Sequence, residues 1–278
     1  MRNLFEVIRK QSVLLILIFG SFANAQFLTT SGKQILDKNG DPIILRGVGL
    51  GGWMLQEPYM MNFVGGADNQ QQFKSKLESL IGETNTQEFY NKWLDNFVTK
   101  TDIDSLASWG FNSVRLPMHY NLFTLPIEQE EAGQNTWLDK GFEIVDDLLE
   151  WCEDNQLYLI LDLHAAPGGQ GYDQGISDYD TSKPSLWESD ANKQKMVALW
   201  DKLAERYKNE EWIGGYDILN EPNWNLSGSE IKNLYVQVTN AIRSHDTNHI
   251  RYKECHASSK NCSGKHQWKN VCLYITKQ

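Results

Sequence analysis

The triplet Asn220-Glu221-Pro222 closes an apolar run, IGGYDILNE (213–221). A carboxylate at the end of a buried strand is partly desolvated. That raises its pKa and keeps it protonated near neutral pH. A protonated Glu can give its proton to a leaving oxygen. Asn220, facing the other side of the strand end, is placed to donate to a ligand hydroxyl, and Pro222 stops the strand so that Glu221 is presented at a mouth. A salt-bridged Glu or a helix cap after a strand would produce the same triplet.

Two further stretches carry polar groups on apolar strands. His164 ends LILDLH and shares one strand face with Asp162. It either satisfies backbone or orients a carboxylate or a ligand hydroxyl. Arg115 sits in SVRLP, where the context is buried. A buried Arg is rarely left unpaired, so Arg115 predicts a carboxylate nearby, held ionised as a nucleophile needs.

The elements that must position these residues alternate. A hairpin is expected over 34–45 around Asn39-Gly40. Strands are expected at 43–50, 111–117 (stopped by Pro117), 157–164 and 213–221. Helical spacing covers 68–81, 86–97, 101–110, 138–155, 190–208 and 228–244. In the first, Phe73, Leu77, Leu80 and Ile81 share a face; Thr101 is the expected cap of the third. Unbroken apolar strands alternating with helices mean a parallel sheet covered by helices. Arg115, His164 and Asn220-Glu221 then all fall at the C-terminal ends of strands, where such sheets bind ligands.

The composition narrows the function. The net charge of −10 argues against nucleic acid. GVGLGG (47–52) has the wrong spacing for a dinucleotide loop. Ten Trp, eleven Tyr and eleven Phe fill a core or line a groove for sugar rings. Residues 1–25 have the form of a secretory leader: Arg2, Arg9 and Lys10, an apolar VLLILIFGSF, then Ala23-Asn24-Ala25. The rest, 253 residues, suits one domain. The expected location is secreted, periplasmic or cell-surface, with no membrane span after leader removal and a monomeric state.

Four blocks, LRGVGLGGWMLQEP (45–58), WGFNSVRLPMHYNLF (109–123), LYLILDLHAAPGGQ (157–170) and IGGYDILNEP (213–222), together resemble glycoside hydrolase family 5, in its cellulase and exo-β-1,3-glucanase-like branches. The resemblance covers about 30–250. It implies a (β/α)8 TIM barrel, with about the first half of the barrel in this chain, and retaining hydrolysis of a β-glycan. It implies Glu221 as acid/base, Asn220 as the contact to the sugar 2-hydroxyl, and Arg115 and His164 as a supporting pair. Trp53, His119, Tyr120, Asn223 and Trp224 are the candidate sugar contacts. No metal or organic cofactor is implied. The long loop 165–187 is expected to wall the site, and HYNLF (119–123) either shapes a sugar subsite or simply packs Phe123.

The resemblance stops where a fifth strand is due. Residues 251–278 carry six Lys/Arg and one Glu, against 20 and 35 before them, and three of the four Cys (Cys255, Cys262, Cys272). No strand or helix period is visible there, so an aberrant basic tail is expected, from a frameshift or premature end near Ile250. The nucleophile that the resemblance places on a seventh strand is then missing. Glu57, Glu128, Glu130 and Glu131 do not match its position. On that reading the chain as written has little or no hydrolase activity and low solubility. The alternative is a non-catalytic carbohydrate-binding remnant, or a fragment without function.

Overall fold

The computed structural model describes residues 27–63, 65–256, 267–268 and 271–276. The expected leader and Cys262 lie outside them. A small antiparallel sheet comes first, from β1 (Thr29–Ser31), β2 (Gln34–Leu36) and β3 (Pro42–Ile43). Its second turn is the one expected: Gly40 has φ +84°, and Asp37 Oδ1 accepts from the Asn39 and Asp41 amides.

The main sheet runs β4 (Gly47–Gly49), β5 (Ser113–His119), β6 (Tyr158–Ala165), β7 (Ile213–Asp217) and β8 (Arg251–His256), neighbours in chain order and all parallel. β10 (Val271–Thr276) and β9 (Gln267–Trp268) extend it antiparallel beyond β8. Between β4 and β5 lie α1 (Gln70–Ile81), α2 (Glu83–Asn96) and α3 (Lys100–Ser108). α4 (Asp139–Asp154) links β5 to β6. α5 (Gln174–Ser177) and α6 (Asp190–Tyr207) link β6 to β7, and α7 (Gly228–His245) links β7 to β8. This is the first part of a (β/α)8 barrel.

Side-chain alternation divides the interior in two. Val114, Leu116, Leu159, Leu161 and Leu163 face the helices and pack on Val145, Leu148, Met196, Leu199 and Leu203. Each such fully buried aliphatic contributes about 1.5–3 kcal/mol. Trp200 on α6 adds a directional tie, its Nε1 donating to the Ile218 carbonyl at 3.0 Å. The opposite face holds a second cluster, Leu28, Tyr158, Ile250 and Tyr252, with Ile35 and Ile43 of the small sheet beneath it. Gly215 is needed there: a Cβ would meet Tyr252 Cε2 at 2.7 Å.

Four details depart from the sequence reading. Pro117 does not stop β5, which runs to His119. Arg115 gives its carbonyl to Leu50, so position 117 turns its nitrogen to that same edge, just past the end of β4, where no donor is required. α3 is capped by Thr99 with Asp102 in a capping box, two residues before Thr101. α1 has no buried residue: Leu80 and Ile81 are exposed, and Phe73 stacks on Phe63 instead. And Arg251–His256 does form a strand. Tyr216 pairs with Arg251 and Asp217 with Tyr252, and both Arg251 and Tyr252 are buried. The polar RYKECH hid it, because Tyr252 fills the inner cluster as a single large ring rather than through an apolar run. Among the described residues no helix is long and apolar enough to cross a membrane.

Candidate active site

The inward polar residues of β5, β6 and β7 meet at one end of the sheet. Arg115 Nε and Nη2 donate to Asp217 Oδ2 at 3.0 and 2.8 Å, and Nη2 also to Asn220 Oδ1 at 3.0 Å. Its Nη1 lies 3.1 Å from Asp162 Oδ2. Asp162 and Asp217 are buried beside it. The carboxylate that Arg115 demanded is therefore two aspartates, both beneath the mouth rather than in it. Burial and the nearby Asp162 charge push Asp217 up to about 6, against the pull of Arg115.

His164 Nδ1 donates to Asp162 Oδ2 at 2.6 Å. Burial alone would lower its pKa; the Asp162 charge and hydrogen bond, with a smaller contribution from Glu57, outweigh that and raise it to about 9. The Nε2 atom faces Glu57 Oε1 at 3.5 Å and Asn220 Nδ2 at 3.2 Å. Arg115 fixes the Asn220 amide, because its N–H must meet the oxygen; the NH2 end is thus turned toward His164. A neutral His164 accepts an amide proton from Asn220, whereas the imidazolium cannot and leaves that proton to a ligand.

Glu221 follows in the left-handed region, φ +39°, which is strained for a residue with a side chain. It is exposed, and the regular strand ends earlier, at Asp217. The desolvation expected for this carboxyl is thus not present: the strand end is buried up to Asn220, and the left-handed turn carries the next residue out to solvent. Tyr59 joins it from the loop after β4. Burial, then the charge and hydrogen bond of Glu57, then the Glu221 charge raise the Tyr59 phenol to about 12.

The loop 165–187, the expected wall, is tied on three sides. His119 Nε2 lies 2.9 Å from Asp178 Oδ2, and Asp178 Oδ1 accepts from the Gln71 amide. Asn69 Nδ2 donates to the Tyr179 carbonyl. Toward β7, Gly171 bridges Asn223, and Tyr172 N donates to the Asn223 carbonyl. Tyr172 and Trp224 stack at 4.1 Å and 12°, with Tyr179 edge-on at 5.4 Å.

The candidate sugar contacts separate accordingly. Asn223 is exposed and Trp224 half-buried, beside Glu221. Tyr120 lines a cleft of about 360 Å³ with Glu128, Gly168, Asp178 and Lys183. Two positions are corrected. Trp53 is 3% exposed under α2, its Nε1 donating to the Leu94 carbonyl, so its ring is core. His119 is 2% exposed with both nitrogens used, Nδ1 accepting from the Asn121 amide, so it braces the loop instead of facing a ligand. Phe123 packs edge-on against Phe142 and is fully buried, which decides HYNLF for packing at that residue. The sequence reading missed Asp217, Tyr59 and Gln170. An Asp inside an apolar strand run was the available signal for the first; the other two sit in loops and gave none.

Comparison with known proteins agrees with this geometry. Residues 69–253 match the family model of Cellulase (glycosyl hydrolase family 5). A Beta-xylosidase of Phanerodontia chrysosporium is 32% identical over 253 residues, 90% of this chain and 51% of that protein. A probable glucan 1,3-beta-glucosidase A of Neosartorya fischeri is 27% identical over 247 residues, 86% of this chain and 56% of that protein. The chain thus spans about half the length of these curated relatives. The crystal structure of a rutinosidase from Aspergillus niger superposes with a TM-score of 0.60 at 18% identity, covering 75% of this chain and 62% of that one, a likeness of fold alone. With two thirds of its length matched by the family model and its polar strand ends gathered at one mouth, the chain belongs to glycosyl hydrolase family 5.

Proposed function

We propose that this chain supplies the acid/base side of a retaining β-glycosidase site for a β-glucan-type polysaccharide, acting outside the cell. The observation that carries the reading is the amide of Asn220, oriented by Arg115 and flanked by His164, one residue before a carboxylate at the mouth. In this scheme the Glu221 carboxyl gives its proton to the glycosidic oxygen as the C–O bond breaks. The resulting carboxylate later takes a proton from the water that releases the sugar. A bound ring covers Glu221 and supplies the desolvation that the free protein lacks. Asn220 holds the sugar 2-hydroxyl through Nδ2. Asn223, Trp224 and Tyr120 contact neighbouring rings, with the Tyr172–Trp224 stack as an aromatic surface. The partner carboxylate that forms the glycosyl–enzyme bond is assigned to no described residue.

The test uses the full 278-residue chain with laminari-oligosaccharides and 4-nitrophenyl β-glucoside. Formate is added as an external carboxylate in place of that partner. Release of nitrophenol, with or without formate, that falls about 10²–10⁴-fold in Glu221→Gln supports the reading. Oligosaccharide binding without release in any condition favours a carbohydrate-binding protein. Neither binding nor release ends both.

A further inference from the structure

Gln170 is fully buried, and its side chain spends all its hydrogen bonds at the strand ends. Nε2 donates to the His164 carbonyl at 2.6 Å and to the Asn220 carbonyl at 3.0 Å, while Oε1 accepts from the Ala166 amide at 3.1 Å. Its backbone carbonyl accepts from Trp187 Nε1 at 2.9 Å and from the Asn223 amide at 3.2 Å. One residue therefore holds the last residues of β6 and both sides of Glu221. The turn that delivers it is built for the purpose. Gly168 and Gly169 both have φ near +80°, and a Cβ on Gly169 would meet Tyr179 Cβ at 2.7 Å.

The Asn220 carbonyl belongs to the peptide group that joins Asn220 to Glu221. Rotation of that peptide is coupled to the φ of Glu221, which sits at +39°. Without a fixed donor on the carbonyl, the peptide is free to flip, and the Glu221 side chain would swing away from the mouth. The Asn223 contact pins the far side of the same turn. We propose that Gln170 is the positioning residue for Glu221: it clamps the peptide before Glu221 and the amide two residues after it, and so aims the carboxyl at the substrate. The proposal rests on the acid/base reading of Glu221.

The test pairs Gln170→Met, which keeps length and loses every side-chain bond, with Gln170→Glu, which keeps the acceptor and loses the donors. Both are made in the full chain. Turnover is read with formate on two aryl β-glucosides, one with a good leaving group (2,4-dinitrophenol) and one with a poorer one (4-nitrophenol). A misaimed acid hurts the substrate that needs protonation. The expected result is a kcat loss of about a hundredfold on the nitrophenyl substrate, a clearly smaller loss on the dinitrophenyl one, and KM within about twofold on both. Equal losses on both substrates, or a change in KM alone, would overturn the proposal. Hydrogen exchange gives the second readout. The amides of Asn220 and Asn223, which donate to the Leu163 and Gln170 carbonyls, should lose protection in both variants while those of β7 and α7 keep theirs. If the parent chain shows no turnover, the catalytic reading fails separately, and exchange alone decides. Selective loss at Asn220 and Asn223 then upholds the clamp, and unchanged protection removes it.

Discussion

Of the three buried histidine–aspartate pairs among the described residues, two sit at opposite ends of the sheet, with different surroundings. At the mouth, His164 Nδ1 meets Asp162 at 2.6 Å, and its other nitrogen faces Asn220 and Glu57. At the far end, His249 Nδ1 meets Asp246 at 2.5 Å, its Nε2 donates to the Glu210 carbonyl, and the Tyr216 hydroxyl donates to Asp246. Arg243 closes that end by donating to the Asp246 and His249 carbonyls, and Phe27 lies edge-on to the imidazole. Every polar atom of the second imidazole is satisfied inside the protein. The second nitrogen of the first imidazole meets side chains, Asn220 and Glu57, instead of a backbone carbonyl. The same two residue types thus brace the fold in one place and, in the other, lie against the Asn220 amide at the strand ends, and the difference lies in what the second nitrogen meets.

The pairs also respond oppositely to pH. Against burial, which would raise it, the His249 and Tyr216 hydrogen bonds hold Asp246 below the usual carboxylate range. His164 is raised to about 9. Asp246 therefore stabilises the fold above its unfolded value of 3.8, and that contribution is lost as pH falls through the depressed folded value. The His164 contribution is complete below its unfolded value of 6.5 and is lost as pH rises through about 9.

The largest effect that can break the contrast comes from Asp246→Ala. It leaves a buried imidazole and a buried phenol without their carboxylate, so denaturant unfolding should show a loss of about 3–5 kcal/mol. Oligosaccharide affinity of the folded fraction should not change; a stable variant with weakened binding would reverse the roles of the two ends. Next comes the alkaline limb. Stability of the parent chain should drop by an amount on the order of 3 kcal/mol between pH 6.5 and 9, and His164→Gln should flatten that limb. A flat profile in the parent means that His164 is not charged when folded. Tyr216→Phe removes one hydrogen bond to a charged oxygen and should cost about 2 kcal/mol with binding intact. Asp217→Asn should cost the least, about 1 kcal/mol at pH 5, since Asp217 is raised to about 6 and already carries a proton much of the time there. Its readout is oligosaccharide affinity, which should fall because Arg115 loses the anchor from which it holds Asn220.

The sheet and its mouth were legible because their signals are local. LYLILDLH, SVRLP and YDILNEP each mark a buried strand carrying a polar residue that an apolar core would not tolerate without reason. Arg115 even announced its carboxylate partners, although not which ones. The rest depended on tertiary context. Trp53 and His119 read as ring-bearing surface groups, yet the first lies under α2 and the second under the Asp178 loop. No periodicity distinguishes a Trp that packs from one that binds. The strand at Arg251–His256 was missed because strand recognition relies on apolar runs, while here one tyrosine and the pairing with β7 suffice. Gln170 lay in a glycine-rich loop, where a side chain's partners are set by the strands that the loop returns to.

The bridge between Gly171 and Asn223, with Tyr172 N on the Asn223 carbonyl, bears on modularity. Loops at the mouth of a barrel are usually treated as separable cassettes, each exchangeable on its own strand. Here the segments after β6 and β7 share backbone bonds and a stacked aromatic pair. They form one structural unit. A graft of either loop alone brings a stranger to that seam, whereas transplanting both together carries the seam with them.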